Sequence, residues 1–165
     1  MGDSALSTVG RTAKMAVIGA IKAVGDTAEA VIEASADVLK TAVEGVADVT
    51  GAVIENTRKV VRGAIHAASD TGEDVGTVAK AAVRGAIKAA ADVGGDVGQV
   101  AVAAIKGTVK AVEEVGGDTG KALKGAVTGA IDAAEEIGEE TAQAVRDVLV
   151  KSVDGAKDII KSPLK

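Results

Sequence analysis

His66 is the single histidine of the 165-residue chain, and cysteine is absent. Thiolate chemistry and Cys-based metal sites are therefore excluded. Any metal site would need carboxylates around one imidazole. His66 falls on a polar position of its helix pattern, so its expected place is a solvated surface. The carboxylates Asp26, Asp37, Asp48, Asp70, Asp92, Glu114, Glu136, Asp147 and Asp158 recur in steps of 11 or 22 residues. That is not the spacing of a calcium loop, and it reads as a solvated helix face. Gly94 and Gly98, beside Gly94-Gly95-Asp96, suggest a phosphate loop. No Gly-Lys-Ser/Thr follows and no strand pattern precedes, so nucleotide binding is not expected. Ser and Thr residues have no histidine base at matched positions. The expectations are no catalytic residue, no cofactor, no metal and no enzyme.

The elements that position these groups follow from an internal repeat. Gly19-Ala20-Ile21-Lys22-Ala23 returns as Gly63-Ala64-Ile65-His66-Ala67 and Gly85-Ala86-Ile87-Lys88-Ala89. It returns again as Gly107-Thr108-Val109-Lys110-Ala111 and Gly129-Ala130-Ile131-Asp132-Ala133, with Thr41-Ala42-Val43-Glu44-Gly45 filling the gap. The units begin at 19, 41, 63, 85, 107 and 129, and each divides into two 11-residue halves. The chain therefore divides into an N-terminal tail (1–7), a repeat region (8–161) and a C-terminal tail (162–165). Eleven residues make three helical turns. On that wheel Ala, Val, Ile and Gly fill one wide arc and charged residues fill the opposite one. This predicts an all-α fold of amphipathic helices.

Glycine decides between two versions of that fold. There are 21 glycines. Inside a helix each costs about 1 kcal/mol relative to Ala. In one version they let helix backbones approach closely: Gly72/Gly76, Gly94/Gly98, Gly116/Gly120 and Gly125/Gly129 are spaced i,i+4. In the other they mark turns. Gly94-Gly95-Asp96 and Gly116-Gly117-Asp118 read as a C-terminal Gly followed by an Asp cap, and Asp70-Thr71-Gly72-Glu73-Asp74 as a similar break. The unbroken 11-residue phase favours long, nearly continuous helices. The N-terminal half lacks Gly-Gly pairs, and Ile137-Gly138-Glu139-Glu140-Thr141 reads as helix interior. Breaks near 72, 94 and 116 would instead give helices of about 20 residues, roughly 30 Å long. Ser162-Pro163 stops the last helix.

Composition limits the partners. The chain has no Phe, Tyr or Trp and carries a net charge of −5. Without stacking rings or positive charge it is not expected to bind nucleic acid. The start Met1-Gly2-Asp3-Ser4 is no secretory signal, and Leu6 stands where a myristoylation motif needs Ser or Thr. No apolar run reaches the length of a membrane span. The expected compartment is the cytoplasm.

Charge pairs at i,i+4 are mixed. Lys22/Asp26, Lys88/Asp92 and Lys110/Glu114 attract, whereas Glu33/Asp37, Glu44/Asp48 and Asp154/Asp158 repel. Neighbouring helices could supply the missing partners, and solvation alone explains the pattern equally well.

The segment Gly138-Glu139-Glu140-Thr141-Ala142-Gln143-Ala144-Val145-Arg146-Asp147 resembles the 11-mers of late-embryogenesis-abundant proteins. The 11/22 hierarchy is also similar to apolipoproteins and phasin-type coat proteins. The chain departs from both. Its mean hydropathy is +0.27, higher than desiccation proteins usually have, and Pro163 is its single proline. The resemblance implies no catalytic residues. It implies a reversible amphipathic coat on lipid or hydrophobic granules, or a stress protectant that folds on a surface or on drying.

The first functional expectation is different: a non-enzymatic structural protein whose partner is itself. A long rod cannot bury a wide apolar arc alone, so copies would pack into a bundle or filament. The expected interface residues are Ile21, Val43, Ile54, Ile65, Ile87, Ala89, Val109 and Ile131. Gly72, Gly76, Gly94, Gly98, Gly116, Gly120, Gly125 and Gly129 would permit close approach.

Overall fold

The structure, a computed structural model, describes residues 6–23 and 27–161. Among them are eight helices: α1 (Thr8–Lys22), α2 (Thr27–Val43), α3 (Val49–Thr71), α4 (Val75–Asp92), α5 (Val97–Val115), α6 (Thr119–Ile137), α7 (Glu139–Ser152) and α8 (Ala156–Lys161). The fold is an all-α helical repeat. The long, nearly continuous helix is not what forms. Asp26, Ser162 and Pro163, with the sequence before Leu6, lie outside the described residues.

The breaks have a repeated chemistry. Gly72, Gly94 and Gly116 have φ of 75°, 77° and 72°. Only glycine occupies that left-handed region without a Cβ penalty. The next N–H in each case reaches back to the last turn: Glu73 to the Ala68 carbonyl, Gly95 to Ala90 and Gly117 to Val112, at 3.0, 2.8 and 2.9 Å. An aspartate then opens the following helix. Asp74, Asp96 and Asp118 accept from the N–H groups of Thr77, Gln99 and Lys121 at 3.0, 3.1 and 3.0 Å. Each cap satisfies a donor that the helix start leaves unpaired.

Two further breaks depart from expectation. The unit beginning at 41 has Thr50 and Ala52 where later units have the turn glycine and the capping aspartate. Its turn moves upstream to residues 44–48, where Gly45 has φ of 75° and Asp48 caps Gly51 at 3.2 Å. As a result α3 runs for 23 residues, against 18 and 19 for α4 and α5. The second departure is at Gly138, expected inside a helix. It occupies the turn slot of its unit, and the chain extends there to separate α6 from α7. Glu140 stands in the slot of the capping aspartate, and no side chain caps α7.

Each helix packs on its sequence neighbour and, among α1–α6, more extensively on the helix two places along. Helices two apart run parallel: Gly76, Lys80 and Arg84 of α4 meet Gly125, Gly129 and Glu136 of α6 in order. Odd and even helices thus form two layers. The width of the apolar arc follows from this arrangement. Helix α4 touches α2, α3, α5 and α6. It buries Val78, Ala79, Ala81, Ala82, Val83, Ala86, Ile87, Ala89 and Ala90. A helix with four neighbours needs apolar positions around most of its circumference. The arc that would have called for copies is covered within the chain.

Candidate functional site

Two recurring features run along the stack: a row of close-packed glycines and a ladder of ion pairs. The glycine row lies at the first position of the repeat unit. A Cβ built on Gly85 would stand 2.5 Å from the Ile32 carbonyl oxygen, and one on Gly107 would stand 3.0 Å from Val61 Cγ2. On Gly63 and Gly129 it would collide with the carbonyl oxygens of Gly10 and Lys80. In each case the obstacle belongs to the helix two places back. Gly125 is blocked in the same way by Gly76.

The expected glycines therefore divide by role. Gly76, Gly125 and Gly129 are close-approach residues, packed within the chain. Gly72, Gly94 and Gly116 are turn residues, and a Cβ on any of them would meet nothing within 4 Å. Gly98 and Gly120 lie in first helical turns, where a Cβ would have contacts no closer than 3.5 and 3.4 Å. Sequence reasoning quoted Gly63, Gly85 and Gly107 as repeat markers and missed them as packing residues. Their return at the same unit position was the available signal. Of the apolar anchors, Val43, Ile65, Ile87 and Ala89 are buried. Ile21, Ile54 and Ile131 are half-buried against the core. Val109 is half-buried beside a groove shared with Leu123 and Val153.

The ladder uses the acidic stripe. Lys40 Nζ lies 2.8 Å from Asp92, Arg62 Nε lies 2.7 Å from Glu114, and Arg84 pairs with Glu136. Successive rungs are shifted by one 22-residue unit. A parallel rung joins Lys80 to Asp132 at 3.5 Å. Lys14 reaches Asp70 at 2.5 Å and Lys121 reaches Asp74 at 2.7 Å. Four carboxylates of the stripe, Asp70, Asp92, Glu114 and Glu136, are therefore paired across helices rather than simply solvated. Asp92 and Glu114, expected to pair along their own helices, are held by cations two helices back. Lys40, Arg62 and Arg84 were the missed partners, and their 22-residue spacing was legible. Exposed pairs of this kind contribute about 0–1 kcal/mol each.

His66 is also placed differently from expectation. It is 6 % exposed, and its Nε2 lies 3.1 Å from Glu114 Oε1. Its polar position faces α5 rather than water. Partial burial opposes ionisation of Glu114, but hydrogen bonds from Arg62 and His66 outweigh it and hold the carboxyl below its usual range. Asp74 is lowered by the hydrogen bond from Lys121, which outweighs burial, with help from Thr77. Lys40 and Lys121 are raised by hydrogen bonds to Asp92 and Asp74. Among the described residues, no group of three or more His, Asp or Glu could hold a metal ion. No helix there is long and apolar enough to cross a membrane.

No family model matches the chain, and no curated protein matches it. Among solved structures it is similar to the crystal structure of a de novo designed helical repeat protein. The identity is 20 %, the match covers 87 % of this chain and 94 % of that one, and the TM-score is 0.39.

Proposed function

We propose that this chain is a non-enzymatic structural protein that associates with copies of itself through the α1–α2 end of the stack. One observation carries the reading. Gly19 occupies the unit position at which Gly63, Gly85, Gly107 and Gly129 are closed off by the helix two places back, yet nothing lies within 4 Å of its Cβ position. An open, mostly apolar groove of about 250 Å³ lies between α1 and α2, lined by residues that include Val9, Thr12, Asp37, Val38, Thr41 and Ala42. Met15, in the same helix as Gly19, is 67 % exposed. A second copy continues the packing already used between helices two apart. The expected self-association is retained, but its surface moves from the whole apolar arc to one end.

Sedimentation velocity over a wide concentration range tests the proposal, with interference detection because aromatic absorbance is lacking. A reversible monomer–dimer or higher equilibrium, weakened by Gly19→Leu and by Met15→Glu, is expected. A concentration-independent monomer overturns it. The coat or protectant reading would require the packed arc to open onto a surface. It predicts co-sedimentation with lipid vesicles together with loss of the cooperative thermal transition.

A further inference from the structure

The ion-pair ladder contains one rung of the wrong sign. In the α4–α6 groove the register joins Lys80 to Asp132, 3.5 Å apart. One 22-residue unit earlier the same two slots hold Arg58 and Lys110. The α3–α5 groove therefore faces cation with cation. Neither Arg58 nor Lys110 makes an ion pair or hydrogen bond with a described residue. Two carboxylates nearby, Glu114 and Glu55, are already engaged. Glu114 Oε1 accepts from Arg62 and lies against His66, and Glu55 accepts from Lys59 at 3.3 Å.

Both cations line one open groove of about 250 Å³, together with Lys59, Arg62 and Glu114. Its floor is the close contact at Gly107, where a Cβ would stand 3.4 Å from Arg58 Cα. Two like charges lining one groove repel, and an anion bound between them would offset that repulsion. The local excess of positive charge is notable in a chain whose net charge is −5.

We propose that the α3–α5 groove binds a phosphate-class oxyanion between Arg58 and Lys110. The Arg58 guanidinium offers paired N–H donors matched to two phosphate oxygens. Lys110 contributes a point charge from the opposite helix, and Lys59 and Arg62 add to the field. The anion takes the place that Asp132 fills in the neighbouring groove. This site is separate from the α1–α2 end and stands independently of self-association.

The test is calorimetric titration of the whole chain with inorganic pyrophosphate at low ionic strength. One saturable site is expected. Arg58→Ala and Lys110→Asp should each weaken it by at least about tenfold, while Lys80→Ala leaves it unchanged. Lys110→Asp should also raise the melting temperature without ligand, because it supplies the missing carboxylate. Absence of saturable binding overturns the proposal, as does equal weakening by Lys80→Ala. Vesicles containing phosphatidic acid give the second arm. Sedimentation of the chain with them, lost in Lys110→Asp, places the phosphate on a lipid. Pyrophosphate binding without vesicle sedimentation places it on a soluble ligand.

Discussion

Gly76 and Gly125 meet backbone to backbone: a Cβ on Gly125 would overlap the Gly76 carbonyl oxygen. Helices α4 and α6 approach this closely because neither carries a side chain at the crossing. The cost of glycine in a helix is offset by the dispersion contacts that the close approach allows.

That relationship predicts opposite effects for one substitution at closed and at open glycines. Gly125→Ala and Gly63→Ala place a methyl group against backbone and should each lower stability by about 1–3 kcal/mol. Gly19→Ala, inside α1 with open space around it, should raise stability by up to about 1 kcal/mol. Thermal melts followed by circular dichroism read both, at about 2–4 °C per kcal/mol for a chain of this size. Equal effects at Gly19 and Gly63 would remove the case for the glycine row.

The turns make a second contrast. Gly94 has φ of 77°, so Gly94→Ala should cost about 1–2 kcal/mol through strain alone. Gly138 is extended, with nothing within 4 Å of its Cβ position. Gly138→Ala should stay within about 0.5 kcal/mol of the parent. Urea denaturation midpoints distinguish the two.

Stability should fall in acid, with a sign set by the paired carboxylates. Asp74 and Glu114 are lowered from ordinary values of 3.8 and 4.5. Above those values both are ionised folded or unfolded, and their full contribution is present. As pH falls below them the unfolded chain takes up protons first, so the contribution declines until the folded pKa values are passed. Lys40 and Lys121 are raised from 10.5. Their contribution is full below that value and is lost as pH rises through the folded pKa. Melting temperatures measured from neutral pH down to about pH 3 should decline. Lys121→Ala, which removes the partner of Asp74, should make the acid slope shallower.

Among the described residues, two buried hydroxyls lack partners. Ser35 Oγ and Thr57 Oγ1 are enclosed without a hydrogen bond, and they occupy the same slot of successive units. The next two units place Ala79 and Ala101 there, both fully buried. Ser35→Ala should therefore stabilise the fold by roughly 1 kcal/mol, because it removes an unsatisfied group rather than a contact. A lower melting temperature would mean that a partner for Ser35 had gone unrecognised.

The sequence by itself determined the helical class and the 22-residue unit, and it offered turns at Gly72, Gly94 and Gly116 with capping aspartates as the alternative to a continuous helix. These are local: a left-handed residue and an N-cap act within a few positions of chain. The in-phase return of Gly63, Gly85, Gly107 and Gly129 was also present in it, as a repeat marker more than as a sign of packing. Sequence did not decide what they pack against. The unbroken 11-residue phase is satisfied equally by one long helix and by short helices turned back at whole multiples of a turn. Only tertiary packing separates them, because burying the arc within one chain requires the turns at Gly45 and Gly138 as well. The ladder from Lys40, Arg62 and Arg84 to Asp92, Glu114 and Glu136 was hidden for the same reason. Its partners lie 52 residues apart, an offset fixed by how parallel helices two places apart slide into register. The burial of His66 and the unmatched pair Arg58 and Lys110 follow from that register.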